Sequence, residues 1–209
     1  MKTMNKAEKF WDKTAAREKG PVDGIGDTEL KTVELTRKYV KTSDVVLDFA
    51  CGTGAMTVAI ANHVKEIHAL DISSKMLDIV KRKADARQTE NISFIHGTLF
   101  DGQIESESLD VILAFNVLHL LDDQKSAIQR INELLKPGGT FISATPCLGE
   151  SMFIRFAISL LTKLPAFPDV TNLKAYELES LITTENFQVV DTEIMESSPL
   201  NYFIVARKK

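Results

Sequence analysis

Residues 45–54 read Val45-Val46-Leu47-Asp48-Phe49-Ala50-Cys51-Gly52-Thr53-Gly54, a β-prone apolar run that passes through an aspartate straight into a glycine-rich turn. Ala55 to Val64 (AMTVAIANHV) follows with helical character. A buried strand, a tight turn and a helix N-terminus make a cradle for a negatively charged or highly polar small ligand. The glycines let such a ligand approach the backbone, and the first helix N–H groups have no intrahelical partner. Ile67 to Asp71 (IHALD) is a second short strand ending in an acid, where folds of this kind place a carboxylate that accepts both ribose hydroxyls. Strand, turn, helix, strand, acid is the order of a nucleoside-binding half-fold.

Outward from this segment the pattern alternates. Strands are expected at 45–49, 67–71, 92–96, 109–115 and 140–145, with helices at 55–64, 74–88 and 124–135 between them. Ser73-Ser74 is a good helix start, and Lys136-Pro137-Gly138-Gly139 an abrupt stop. Alternation at this spacing implies right-handed crossovers and a parallel sheet covered on both faces. The last third breaks the rhythm: a helix at about 173–185 precedes two strand-like runs, 187–196 and 200–207, joined by Ser197-Ser198-Pro199. A short connection makes those two strands antiparallel. The expected fold is therefore α/β, a Rossmann-like doubly wound sheet of seven strands, mostly parallel, with a C-terminal antiparallel hairpin. Residues 1–40 read as an N-terminal helical cap, with helices at 6–19 and from Asp27 or Thr28 to about Val40 along a narrow stripe of Leu30, Val33 and the pair Val40 and Leu35. Residues 41–209 read as the main domain, with an apolar insert at 147–170.

The bulk properties narrow the function classes. With 209 residues, 44% of them hydrophobic and 26% charged, the chain has the make-up of a globular domain able to bury a core without staples. A net charge of −4 and a single basic cluster, Arg207-Lys208-Lys209, supply no field or stripe to gather nucleic acid. Cys51 and Cys147 sit in no metal-ligand spacing, so neither a metal site nor a disulfide framework is expected, and a reducing cytoplasm fits. The opening MKTMNKAEKF has no apolar core of a secretory signal, and no apolar run approaches the roughly 20 residues that span a bilayer. The expected partner is a small molecule, with no nucleic acid and no stable membrane insertion. The oligomeric state is not legible.

Four motifs in order, Asp48–Gly54, LDIS at Leu70–Ser73, LDVILAFNVLHLLDD from Leu109 and LLKPGGTFISATP from Leu134, resemble those of the class I S-adenosylmethionine-dependent methyltransferases. The likeness is nearest to the small-molecule branch that includes ubiquinone and menaquinone C-methyltransferases. It implies S-adenosylmethionine as cofactor, with S-adenosylhomocysteine as its product. By that resemblance Asp48, Ala50, Cys51, Gly52 and Gly54 shape the cofactor turn, and Asp71 accepts the ribose hydroxyls. Ile72 and Met76 wall the adenine, Thr98 and Leu99 meet its edge, and Asn116 lines the methionyl pocket. The chain departs from the family at Ala50, where the first turn glycine is usual, and at Thr98, where an aspartate is usual. A dehydrogenase fingerprint would need a third glycine where Thr57 stands. Each residue also has a plainer reading: the glycines as an ordinary strand–helix turn, Asp71 as a helix cap, Met76 as core.

The resemblance implies methyl transfer to a small, apolar molecule by in-line displacement. Alternatives are a non-catalytic cofactor-binding regulatory module and a protein methyltransferase. No catalytic acid or base is assigned, since positioning is the main requirement; His119 is either a base or a packing residue. The core motifs offer no cation for a methionyl carboxylate. The first helix does, in Lys13, Arg17 and Lys19, and Arg17 is preferred because its planar fork suits a carboxylate. The apolar segment SMFIRFAISLLTKL, Ser151 to Leu164, reads either as a lid over an apolar acceptor or as a helix packed on the sheet or a second subunit.

Overall fold

A computed structural model describes residues 6–18, 26–150, 170–195 and 200–209. The expected insert at Ser151–Leu164, Lys19, and the Ser197-Ser198-Pro199 connection lie outside those residues. The strands form a seven-stranded sheet of order Ile92–His96, Glu66–Asp71, Val45–Phe49, Leu109–Phe115, Leu135–Pro146, Asn201–Lys208, Phe187–Met195. Contacts divide the chain into two compact units, Met1–Gln103 and Ile104–Lys209.

The first unit holds α1 (Lys6–Ala15), α2 (Asp27–Arg37), β1 (Val45–Phe49), α3 (Ala55–Ala61), β2 (Glu66–Asp71), α4 (Ser74–Ala86) and β3 (Ile92–His96). β1 pairs in parallel with β2, setting Asp48 beside Ala69, and β2 with β3, setting Asp71 beside His96. Val46 and Leu47 of β1 and Ile67, Ala69 and Leu70 of β2 have no exposed surface, as continuous apolar runs in a parallel sheet require. β3, at the sheet edge, is only partly buried. α4 starts where the sequence places it, because the Ser73 side chain accepts the Met76 N–H. It buries Met76, Leu77, Ile79 and Val80 along one stripe.

The second unit holds β4 (Leu109–Phe115), α5 (Gln124–Leu134), β5 (Leu135–Pro146), α6 (Ala175–Thr184), β6 (Phe187–Met195) and β7 (Asn201–Lys208), with short 3₁₀ turns at Leu118–Leu120 and Leu148–Glu150. β4 and β5 are parallel, while β7 lies antiparallel between β5 and β6. Phe141, Phe187 and Phe203 are among the largest buried side chains, and the Phe141 and Phe187 rings lie 5.6 Å apart.

Several boundaries differ from the sequence reading. α1 ends at Ala15, α2 at Arg37 and α3 at Ala61, each short of the apolar pattern, since terminal turns close with i to i−3 bonds such as His63 N–H to Ile60 O at 2.8 Å. Gly26, not Asp27 or Thr28, occupies the α2 N-cap. Leu30 is exposed. The buried face of α2 instead includes Thr32 and Thr36, whose hydroxyls donate to the Thr28 and Thr32 carbonyls at 2.8 and 2.7 Å, a self-satisfaction that lets a hydroxyl enter a core. β5 begins at Leu135, paired with Leu109, before the register shifts to Val111 beside Thr140. The Lys-Pro-Gly-Gly sequence thus bulges a strand rather than preceding one, with Gly138 at φ 75°.

Candidate functional site

The turn between β1 and α3 carries three residues at positive φ: Ala50 at 55°, Gly52 at 52° and Gly54 at 73°. The two glycines serve different ends. A Cβ on Gly52 would meet no atom within 4 Å, whereas one on Gly54 would stand 2.6 Å from Val80 Cγ1. Gly52 therefore opens space above the turn, and Gly54 lets the turn seat against α4. Ala50 takes the left-handed conformation without a glycine's freedom, a cost of about 1–2 kcal/mol. Cys51 packs against the cluster of Ala69, Leu77 and Val80. Burial, with smaller pushes from Asp48 and Asp71, holds its thiol well above the ordinary range, so it is an inert filler of the turn.

Two carboxylates flank this turn. Asp48 is buried in β1 and accepts the Thr57 hydroxyl at 2.5 Å. Burial pushes its carboxyl up to about 7, opposed by the Thr57 bond and helped by the Asp71 charge. Asp71, at the carboxyl end of β2, accepts the Gly52 N–H on Oδ2 at 2.9 Å and the Ser73 N–H on Oδ1 at 2.8 Å. Burial raises its pKa, and those two N–H bonds pull the other way. Each oxygen still has acceptor capacity. Asp71 does not itself cap α4; Ser73 does.

Around the acid, Ile72 is half-buried, while Met76 is buried with Ala15 and Ile79 in a cluster that Trp11 covers. The Ile72 carbonyl receives His96 Nε2 at 2.9 Å. Leu99 is buried, and the Thr98 hydroxyl accepts the Phe100 N–H at 3.2 Å while its N–H donates to Asp101 at 3.0 Å. Asp101 therefore puts a carboxylate into the loop where Thr98 lacks one. Arg17 lies exposed in the turn after α1.

Three participants escape the sequence reading. Thr57 meets Asp48 across nine residues; Val80 fits Gly54; and Asp12 of α1, itself buried, accepts the Ser73 hydroxyl at 2.6 Å. The one available signal for Asp12 was an acid set between Trp11 and Ala15 on the apolar side of its helix.

In the second unit Asn116 follows β4 at φ 54°, exposed, with its N–H donating to Ala144 O at 2.8 Å. Its Oδ1 accepts from Asn201 Nδ2 at 3.5 Å. Burial pushes His119 down to about 4, leaving a neutral imidazole that is a weak base at neutral pH. Its Nδ1 has no hydrogen-bond partner among the described residues. Among the described residues no cluster of His, Cys, Asp or Glu could hold a metal, and no helix is long and apolar enough to cross a membrane.

The arrangement leaves open space above Gly52, a carboxylate at Asp71 with acceptor capacity, and a second buried acid at Asp48. Residues 46–139 match the family model described as a methyltransferase domain. Over 106 residues, 49% of this chain and 45% of the relative, the sequence is 30% identical to demethylmenaquinone methyltransferase of Bacillus mycoides strain KBAB4. This chain spans about half the length of the curated relatives it matches. Among solved structures, a SAM-dependent methyltransferase of Methanosarcina mazei superposes with TM-score 0.69 at 18% identity, covering 83% of this chain and 96% of that one. Geranyl diphosphate C-methyltransferase of Streptomyces coelicolor A3(2), solved with Mg2+, geranyl diphosphate and S-adenosylhomocysteine, superposes with TM-score 0.70 at 12% identity over 86% of this chain and 77% of that one. Both share the Rossmann-like fold.

Proposed function

We propose, from the premise that residues 46–139 of this chain form a methyltransferase domain of the class I kind, that the protein transfers a methyl group from S-adenosylmethionine to a small apolar acceptor. The observation that carries this reading is the Asp71 carboxylate, fixed by two backbone N–H groups beside a turn that is open above Gly52. When bound, the cofactor supplies an electrophilic methyl on a sulfonium. The chain's part is to hold it. Asp71 accepts the ribose hydroxyls, Ile72 and Leu99 flank the base, and Thr98 or its neighbour Asp101 accepts from the adenine amino group. Ala50, Cys51 and Gly52 line the approach, Gly54 keeps the turn against α4, and Asp48 offers a negative charge to the ligand's ammonium. Arg17 reaches the methionyl carboxylate from the end of α1; unchanged affinity after deletion of residues 1–20 would dispose of that role.

Alignment of acceptor and methyl supplies much of the rate, since proximity can contribute roughly 7–11 kcal/mol. A neutral, weakly basic His119 favours packing over proton abstraction. An apolar acceptor is supported by the quinone-type substrate in the relative's name and by the apolar sequence at Ser151–Leu164. A cap at 1–40, a main domain at 41–209 and a cytoplasmic location belong to the same reading. The test is transfer of labelled methyl to a panel of quinols, phenols, prenyl diphosphates, amines and fatty acids. A methylated quinol or prenyl product supports the proposal. Tight cofactor binding with no product from any acceptor would replace it with the non-catalytic module.

Asp71→Ala should weaken S-adenosylmethionine binding at least about tenfold, because a charge-assisted hydrogen bond contributes roughly 1.5–3 kcal/mol. Unchanged binding by calorimetry would reduce Asp71 to a brace of the turn.

A further inference from the structure

The cofactor acid is held by more than its own strand. Asp71 Oδ1 accepts the Ser73 N–H at 2.8 Å, and the Ser73 hydroxyl donates to Asp12 Oδ1 at 2.6 Å while accepting the Met76 N–H at 3.1 Å. Ser73 has no exposed surface, and Asp12 and Asp71 are buried. On the other side of the same turn, His96 Nε2 donates to the Ile72 carbonyl at 2.9 Å, and Glu8 of α1 stands 3.7 Å from that nitrogen. The Gly97 N–H binds the Asp71 carbonyl at 3.0 Å. Helix α1 thus holds Ser73 directly through Asp12, and one helical turn earlier Glu8 stands beside the His96 ring that binds Ile72, while Trp11 and Ala15 pack on Met76 and Ile79.

A buried carboxylate on α1 is costly unless it is hydrogen-bonded. An apolar residue at position 12 would extend the stripe of Trp11 and Ala15. What Asp12 adds is orientation: it fixes the Ser73 hydroxyl, and with it the residue whose N–H donates to Asp71. With its Oδ1 tied to Ser73 and its Oδ2 to Gly52, the Asp71 carboxylate plane has one orientation, the condition for receiving two neighbouring hydroxyls without a rotamer cost.

We propose that Asp12 is a positioning residue for cofactor binding, acting through Ser73 on the ribose-binding carboxylate of Asp71. This rests on the reading of Asp71 given above and assigns α1 a role separate from any cation at Arg17. In consequence the N-terminal helix controls affinity for the nucleoside without touching it.

The test is calorimetry of S-adenosylhomocysteine binding to the full chain in a double-mutant cycle of Asp12→Ala and Asp71→Ala, with circular dichroism to confirm folding. Asp12→Ala alone should weaken binding about five- to tenfold, and in the Asp71→Ala background, where no side-chain oxygen is left to accept the Ser73 N–H, by less than about twofold, because its only route is already cut. Asp12→Asn, whose amide oxygen still accepts from Ser73, should restore near wild-type affinity, a rescue that a requirement for negative charge would not give. If Asp12→Ala does not fold, Asp12→Glu serves: it overreaches Ser73 by one methylene and should show the same background-dependent loss. Equal losses in both backgrounds, or wild-type affinity in the folded single variant, would overturn the proposal while leaving Asp71 in place. Unaltered binding by Asp71→Ala would instead remove the underlying reading of the acid.

Discussion

Asp48 shows how far burial can move one residue. A carboxyl held at about 7 carries its proton about half the time at neutral pH, although the same group in an unfolded chain ionises near 4. The sign of the linkage follows. Between about pH 4 and 7 the unfolded state binds fewer protons than the folded one, so stability falls as pH rises through that window. Asp48→Asn should remove that slope in urea melts. A cationic ligand favours the charged form and lowers the pKa, so binding near pH 7 should release a proton and tighten as pH rises through 7. Calorimetry in two buffers of different ionisation enthalpy reads this as a buffer-dependent heat. Equal heats would mean that Asp48 does not feel the ligand. Thr57, whose hydroxyl donates to Asp48, sits where a dehydrogenase would carry glycine, so the residue that departs from that fingerprint is the one that supports the acid.

At the scale of the element, the β1–α3 turn joins two demands that the sequence writes with the same letter. Gly54→Ala should destabilise the fold by about 1–3 kcal/mol, combining a left-handed backbone with a Cβ driven into Val80. Val80→Ala in the same chain should recover part of that loss in denaturant melts. Gly52→Val has open space around its Cβ and should retain a folded protein, with only the left-handed backbone cost, while blocking cofactor. A Gly52→Val protein that still binds S-adenosylhomocysteine would show that the ligand does not pass over this turn. The strand ends repeat the lesson. The Lys136–Gly139 bulge reads as a helix stop in sequence, because proline and glycine punctuate both, and only the pairing of Leu135 with Leu109 reveals the strand on its near side.

For the whole molecule the consequence is thermodynamic. A ligand at about 100 times its dissociation constant stabilises a protein by about 2.7 kcal/mol. For a chain of this size that is a rise of roughly 5–10 °C in Tm. S-adenosylhomocysteine should produce this shift and NADH none. Absence of the shift would remove the cofactor assignment, since the fold alone accommodates many functions.

Order and type of the central elements were legible because parallel strands announce themselves as short apolar runs, and the amphipathic helices between them carry a 3.6 period. β1, β3 and β4 begin and end where the runs do, and the cap at Ser73 is a local hydrogen bond. The acid at 71 and the glycines at 52 and 54 were likewise written in a contiguous stretch. What tertiary structure alone decided were the partners distant in sequence. Asp12 meets Ser73 across 61 residues, Val80 defines what Gly54 is for, and burial rather than composition moves the Asp48 proton. Periodicity reports which face of an element is apolar, but it carries no record of which other element will cover that face. The pairings that orient the site therefore exist only once the chain has packed.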